Sequence, residues 1–229
     1  MIVLAFDTAQ GALSVAVHDD GGALASAFEL RTRGHAEELM PAIETVLAEA
    51  ALGFSDLDAL AVTIGPGTFT GLRVGLAAAR GLALARGLPL VGVTTLEAIA
   101  ASVVASDDEV IVASFDAKRG EVYVQAFDAE LAPLTEPALV AVAEVGALLP
   151  RRKLLLVGTG AALLEEALHG FDRRPADAPA QPRADIVAQL ALKRLAVDGI
   201  DAFRVAPAPL YIRAPDAKLP GGRDPGEVA

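Results

Sequence analysis

The sequence contains two copies of one short pattern, and this internal repeat limits the fold more than any other feature. Residues 2–19 align with residues 111–128 at a fixed offset of 109, and seven of the eighteen aligned positions are identical. Each copy reads as an aliphatic strand that ends in Phe-Asp, a short turn closed by glycine, and a second strand of alternating apolar residues. Because the offset is nearly half of the 229 residues, the repeat predicts two halves that arose by duplication.

The other elements can be assigned from hydrophobic periodicity and from the positions of Gly and Pro. The first half continues with strand 23–31, helix 36–51, strand 59–64, helix 70–86, strand 88–93 and helix 94–104. The second half is terser, with strands 110–115, 121–127 and 134–140, a short helix 143–149, strand 154–157, helices 161–168 and 184–197, and a surface connection over 173–183.

Three hairpin-linked strands followed by alternating helices and strands, twice over, are typical of the actin, hexokinase and Hsp70 class. We therefore predict an α/β, actin/hexokinase/Hsp70-like (ASKHA) fold with two βββαβα-type halves, the second of them truncated. The first half spans residues 1–104 and the second spans 105–213. Residues 214–229 carry Pro and Gly and are expected to form a flexible tail. In this class the two halves enclose a cleft.

Composition excludes several classes of function. The chain has no cysteine, which removes disulfides, thiolate metal sites and a cysteine nucleophile. Its formal net charge of −11 argues against direct high-affinity binding of nucleic acid. The longest run without Asp, Glu, Lys or Arg, residues 59–72, has fourteen residues and is too short to span a membrane. The amino terminus does not read as a signal peptide, so we expect a soluble, cytoplasmic protein.

Asp7 and Asp116 hold matching positions in the two copies, and we expect them to face each other across the cleft from the hairpin tips. In this fold class such carboxylates hold magnesium or order water around nucleotide phosphates, because a hard cation prefers oxygen ligands. In the alternative, each carboxylate only accepts backbone hydrogen bonds within its own turn. The candidate cofactor-binding residues are Asp7, Thr8, Gly65, Gly67 and Asp116.

The glycine-rich stretch 65–75 connects a strand to a helix. Free amides at a helix amino terminus favour an anion, but the spacing is neither G-x-G-x-x-G nor a Walker A motif. Thr70 is the expected N-cap. Gly71, Gly75 and Ala79 recur every four residues, so one stripe of the helix lacks bulky side chains. Core packing and a subunit interface explain this stripe equally well.

The three histidines, His18, His35 and His169, lie more than four residues apart, so the sequence has no H-x-x-x-H pair. It also has no G-x-S-x-G motif to anchor a hydrolase triad. We therefore predict no catalytic residue and no metal site in this chain.

Five segments, taken in order and spacing, are typical of one family: Ala5-Phe6-Asp7-Thr8, His35-Ala-Glu-Glu-Leu-Met-Pro41, Gly65-Pro-Gly-Thr-Phe-Thr-Gly-Leu-Arg-Val-Gly75, Asp116-Ala-Lys-Arg-Gly-Glu-Val-Tyr123 and Pro209-Leu-Tyr-Ile-Arg213. They resemble the bacterial TsaB (YeaZ) proteins. The resemblance implies a non-catalytic scaffold that activates TsaD in a complex with TsaD and TsaE. That complex forms N6-threonylcarbamoyladenosine at position 37 of tRNAs that read codons beginning with A.

TsaD-like proteins carry an H-x-x-x-H metal pair, and its two positions fall on Thr95 and Ile99 in this sequence. Neither residue is a credible metal ligand, so the resemblance implies that this chain is not an enzyme on its own. It further implies that the chain meets TsaD through helices 36–51 and 70–86, forms a homodimer when TsaD is absent, and contacts tRNA only through the complex, without a membrane partner. The candidate interface residues are Leu39, Ile43, Gly71, Gly75 and Ala79.

A rival hypothesis is a nucleotide-binding, actin-like ATPase or kinase-type enzyme, which Asp7, Asp116 and the loop Gly65–Gly67 suggest. Under the first hypothesis the subunit requires no cofactor, with ATP or ADP at its interface with TsaD as an alternative.

Overall fold

A computed structural model describes residues 1–213, which form two five-stranded mixed sheets of the same topology. The first sheet has the order β3-β2-β1-β4-β5 and consists of β1 (Val3–Asp7), β2 (Ala12–Asp19), β3 (Gly22–Leu30), β4 (Ala59–Thr63) and β5 (Leu90–Val93). The second has the order β8-β7-β6-β9-β10 and consists of β6 (Glu109–Lys118), β7 (Glu121–Phe127), β8 (Ala138–Ala141), β9 (Lys153–Val157) and β10 (Arg173–Pro175). The duplicated α/β fold is confirmed.

Within the described residues five α-helices accompany the sheets: α1 (His35–Glu49), α2 (Phe69–Arg86), α3 (Thr95–Ala100), α4 (Ala161–Ala167) and α5 (Ala184–Asp198). The helix expected over 143–149 is a 3-10 helix at Val142–Ala147, and the connection expected over 173–183 begins with strand β10. In the described chain no helix combines the length and the apolar character needed to cross a membrane. The tail expected over 214–229 lies outside the described residues.

Alternate residues of the first sheet point to opposite faces, and the two faces are covered differently. One face packs against α1 and α2 through large side chains such as Phe6, Ile43 and Leu60. The other face carries small residues, among them Ala5 and Ala61, and α5 lies against it. Small side chains let the helix approach the strands closely, which keeps this alanine-rich core well packed.

Each half of the chain, divided at residue 104 as expected from the sequence, gives one helix to the sheet of the other half. Helix α3 has six residues and packs on the second sheet, where Leu96 and Ile99 share a cluster with Phe115. It is too short to cover the first sheet, and the fifteen-residue α5 does so. We call the first sheet with α1, α2 and α5 the first lobe, and the second sheet with α3 and α4 the second lobe.

The two hairpins of the repeat differ at their tips. Strand β1 ends at Asp7, whereas β6 continues beyond Asp116 to Lys118 and turns back through Arg119 and Gly120. Both turn residues have positive φ, +59° and +76°, as a tight hairpin turn of the primed types requires. Asp116 therefore lies within its strand and not at the tip of the hairpin.

Candidate functional site

A cleft of about 700 Å³ lies between the two lobes. Its first-lobe wall contains the turn residues Gln10 and Gly11 and the loop Pro66–Phe69, and its second-lobe wall contains Asp116–Lys118. Leu210–Arg213, at the end of the described chain, line it as well. Of the five predicted cofactor-binding residues, the cleft brings together only Gly67 and Asp116; Asp7, Thr8 and Gly65 are not among its lining residues.

Asp7 is fully buried at the end of β1. Its Oδ1 accepts hydrogen bonds from the Thr63 hydroxyl at 2.5 Å and from the Ala9 amide at 3.2 Å, while Oδ2 has no partner. Burial raises the pKa of Asp7 to about 7, against the opposing effect of these two hydrogen bonds. The expectation that Asp7 faces Asp116 across the cleft is wrong, because the neighbouring strand and the hairpin enclose Asp7 completely.

Asp116 is committed to its own hairpin. Its carboxylate accepts hydrogen bonds from the Lys118 amide at 2.8 Å and from the Lys118 ammonium at 2.6 Å. This ammonium group lowers the pKa of Asp116. Both Asp7 and Asp116 thus accept a backbone hydrogen bond from the residue two positions later, and each also accepts one from a side chain.

The glycines of the loop before α2 and of its first turn serve close packing. A Cβ at Gly67 would lie 2.5 Å from the Ala9 carbonyl oxygen, and one at Gly71 would lie 2.1 Å from the Thr8 carbonyl oxygen. The Thr8 hydroxyl in turn donates to the Gly71 carbonyl at 2.7 Å. The loop is therefore pressed against the first hairpin, with no room for a ligand between them.

The amino terminus of α2 is capped within the chain. Its N-cap is Thr68, whose hydroxyl accepts from the Gly71 amide at 3.2 Å, and not the predicted Thr70. The Gly11 amide at the first hairpin donates to the Gln181 side chain at 3.2 Å. The Gly11 and Gly71 amides thus already donate to side chains of this chain.

Comparison with known proteins places this geometry in a family. The family model described as "TsaD: tRNA N6-adenosine threonylcarbamoyltransferase" matches residues 28–218. A crystal structure of a Pseudomonas aeruginosa protein with similarity to YeaZ superposes with a TM-score of 0.80 and 30% sequence identity, over 93% of this chain and 99% of that one. The chain belongs to the TsaB (YeaZ) family.

Sequence comparison with curated TsaB proteins covers a shorter region. Escherichia coli "tRNA threonylcarbamoyladenosine biosynthesis protein TsaB" is 42% identical over 100 residues, which are 44% of this chain and 43% of that protein. The chain thus spans less than half the length of the curated relatives it matches first. An activator of 2-hydroxyisocaproyl-CoA dehydratase from Clostridium difficile, solved with bound ADPNP, shares the fold at 11% identity and a TM-score of 0.51 over 86% of this chain and 97% of that one.

The predicted TsaB-type interface residues lie on the inward faces of their helices. Leu39, Ile43 and Ala79 lie in the core between the first sheet and helices α1 and α2. Gly71 and Gly75 face Thr8, whose atoms would lie within 3 Å of an added Cβ at either glycine. The small-residue stripe therefore serves core packing, the first of the two explanations offered by the sequence. A partner on these helices would meet their outward face.

The two positions that the resemblance matches to the TsaD histidines are closed to solvent. Thr95 and Ile99 are both fully buried in α3, and the Thr95 hydroxyl has no hydrogen-bond partner. In residues 1–213 no group of three or more His, Cys, Asp or Glu side chains is arranged to hold a metal ion.

Two cleft residues, Tyr211 and Arg213, are absent from the predicted site. Arg73 Nε donates to the Tyr211 hydroxyl at 3.3 Å, and Arg213 pairs with Glu121 at 2.5 Å. Their sequence signal is their place in the motif Pro209–Arg213. Local sequence patterns do not predict which residues this motif contacts.

Proposed function

We propose that the chain is a non-catalytic subunit that activates a TsaD-type protein, with TsaE as a further partner, in forming N6-threonylcarbamoyladenosine on tRNA in the cytoplasm. The observation that supports the proposal most directly is the residue type and the burial of Thr95 and Ile99. Where TsaD-like proteins are expected to place two histidine ligands, this chain has a hydroxyl and an aliphatic side chain, both fully buried. The names of the curated TsaB relatives support the pathway.

The outward face of α1 and α2 is the surface we propose for the partner. It exposes three large apolar side chains, Met40, Phe69 and Leu84, the last of them 87% exposed. Charge is divided between the helices. The exposed carboxylates of α1 are Glu37, Glu38, Glu44 and Glu49, and the exposed guanidinium groups of α2 are Arg73, Arg80 and Arg86.

This division of charge suits a complex between two proteins that each present an acidic α1 and a basic α2. In a two-fold dimer the acidic α1 of one copy can face the basic α2 of the other, since an isologous interface must complement itself. A TsaD-type protein of the same fold would offer an equivalent helix pair in place of the second copy. The homodimer is then the form taken in the absence of TsaD.

The proposal can be tested by changing the outward face alone. Leu84→Asp introduces a charge on the proposed contact surface, and Val197→Asp introduces the same charge at an 84% exposed position on α5. We expect Leu84→Asp to abolish copurification with TsaD and to lower tRNA modification in a complemented deletion strain, with Val197→Asp like wild type. Full tRNA modification in the strain without this protein would refute the proposal.

We also propose that the subunit requires no nucleotide of its own. Titration calorimetry with ATP and magnesium tests this, because no heat of binding is expected from the chain alone. Binding that Asp7→Ala abolishes would revive the rival ATPase or kinase hypothesis. ADP or ATP that binds only after TsaD is added would place the nucleotide at the interface between the subunits.

A further inference from the structure

The last described segment, residues 205–213, has no regular secondary structure and follows the 3-10 helix Ile200–Phe203; we call it the strap. It is tied to the first lobe at two backbone groups. The Leu210 amide donates to the Ile64 carbonyl at 2.7 Å, and the Arg80 guanidinium donates to the Pro207 carbonyl at 2.6 Å.

The strap is also tied to the outer surface of α2 by a side-chain cluster. The rings of Phe69 and Tyr211 are 5.6 Å apart, and the Arg73 guanidinium lies 3.6 Å from the centre of the Phe69 ring. Arg73 also donates to the Tyr211 hydroxyl, as described above. Phe69 is 45% and Tyr211 43% exposed, so this anchor can be reached from solvent.

At its far end the strap crosses the cleft to the second lobe. Arg213 donates to the Ala117 carbonyl at 3.1 Å and pairs with the Glu121 carboxylate at 2.5 Å. Both partners belong to the β6–β7 hairpin. Residues 207–213 therefore connect α2 of the first lobe, at Pro207 and Tyr211, with the hairpin of the second lobe, at Arg213.

The first lobe leaves room for this strap at two glycines. A Cβ at Gly65 would lie 2.7 Å from the Leu210 carbonyl oxygen, and a Cβ at Gly92 would lie 2.8 Å from Cβ of Pro207. Contacts this short would force the strap or its neighbours to move. Gly65, a candidate ligand-binding residue by sequence, thus accommodates the chain's own backbone.

We propose that the strap sets the angle between the two lobes and that releasing it from α2 opens the cleft. The lobes are also joined by continuous chain through α3 and through the connection from β10 to α5, and by the Arg194–Glu97 ion pair between α5 and α3. In this proposal these ties form the hinge. The Arg213–Glu121 pair is partly exposed, and such pairs are weak. The ion pair alone therefore does not hold the cleft closed, and it forms only while the Tyr211 anchor keeps Arg213 beside Glu121. Any molecule that engages Phe69 and Arg73 competes with Tyr211 and thereby changes the cleft. The inference concerns this chain alone and stands whether or not TsaD is its partner.

The test is a distance measurement between the lobes. Because the sequence has no cysteine, Glu49→Cys on α1 and Glu166→Cys on α4, both exposed, give two unique sites for spin labels. Electron–electron double resonance then reports the distribution of the distance between them. In the labelled parent we expect one narrow distribution.

Tyr211→Ala removes the anchor on α2, and Arg213→Ala removes the anchor on the second lobe. In each variant we expect a second, longer distance populated by at least about a tenth of the molecules, the upper range for a minor state. Two matched controls should retain the parent distribution. Phe28→Ala removes an aromatic side chain of similar exposure, 40%, from the edge strand β3, and Lys153→Ala removes an ion pair within the second lobe.

A charge-exchange variant distinguishes loss of the tie between Arg213 and Glu121 from general destabilisation of the fold. Arg213→Glu combined with Glu121→Arg restores the ion pair with reversed polarity and should recover most of the parent distribution, whereas Arg213→Glu alone should not. If Tyr211→Ala does not fold, Arg213→Ala and the exchange decide the matter. Strap variants with the same distance distribution as the two controls would overturn the inference.

Discussion

Asp7 is a buried carboxyl without a charged partner, and it makes the stability of the fold depend on pH. In the folded chain burial raises its pKa from 3.8 to about 7, while in the unfolded chain it ionises at the ordinary value. The folded state therefore binds the proton more tightly. The contribution of Asp7 to the free energy of unfolding is greatest below about pH 4. It falls as the pH rises to about 7 and is constant above that. We predict that Asp7→Asn removes this loss.

The magnitude follows from the pKa. Each pKa unit corresponds to about 1.4 kcal/mol, so keeping Asp7 ionised inside the fold costs up to about 4 kcal/mol. Asn keeps an oxygen for the Thr63 hydroxyl and the Ala9 amide and cannot ionise. Relative to wild type, Asp7→Asn should gain about 1.4 kcal/mol per pH unit between about pH 4 and 7. The gain between pH 5.5 and 8.5 should be about 2 kcal/mol.

Equilibrium unfolding in urea at pH 5.5, 6.5, 7.5 and 8.5 measures this difference, because the other titrating groups are common to both proteins. The control is Asp116→Asn, the matching position in the second copy, where Lys118 lowers the pKa and no gain with rising pH is expected. An Asp7→Asn effect that does not change with pH, or a variant less stable than wild type at pH 8.5, would refute the reasoning.

Three further predictions concern packing and pH. Gly71→Ala should destabilise the fold by about 2 kcal/mol or more in urea unfolding because it overpacks the core, whereas Gly81→Ala, with open space around its Cβ, should stabilise it by about 0.5 kcal/mol. Hydrogen bonds from Arg174 and the Ser106 amide hold the pKa of Glu109 down to about 2; Glu109→Gln should cost about 1–3 kcal/mol at pH 7, and the cost should shrink as the pH falls from 4.5 towards 2. Burial lowers the pKa of His18 from 6.5, so stability drops on acidification below that pH, and Tm values at pH 5 and 7.5 should show a smaller drop in His18→Gln.

Local sequence patterns predict helices and strands well where the apolar residues recur with one clear period. The stretch predicted as helix 70–86 is observed at Phe69–Arg86, and strand 59–64 at Ala59–Thr63. Strand β10 has no such pattern, because Arg173–Pro175 contains two charges and a proline and pairs through the backbone with β9 alone.

Positions that depend on contacts between distant segments are beyond local reasoning. Asp7 and Asp116 have the same local sequence pattern, yet one is fully buried and the other pairs with Lys118, because the two turns differ in length. The stripe of Gly71, Gly75 and Ala79 predicts that another segment packs closely against α2, but it does not identify that segment. The answer, the first hairpin, depends on the packing of α2 in three dimensions.

The exchange of helices between the lobes fixes the order in which the chain can mature during synthesis. The alanine-rich face of the first sheet stays uncovered until α5, at residues 184–198, has emerged from the ribosome. Most of the chain must therefore be made before its first five strands have a complete core. Such non-local closure is slow and exposes apolar surface meanwhile. A nascent chain halted between the two repeats is a natural client for chaperones, and a fragment of residues 1–104 should aggregate when expressed alone.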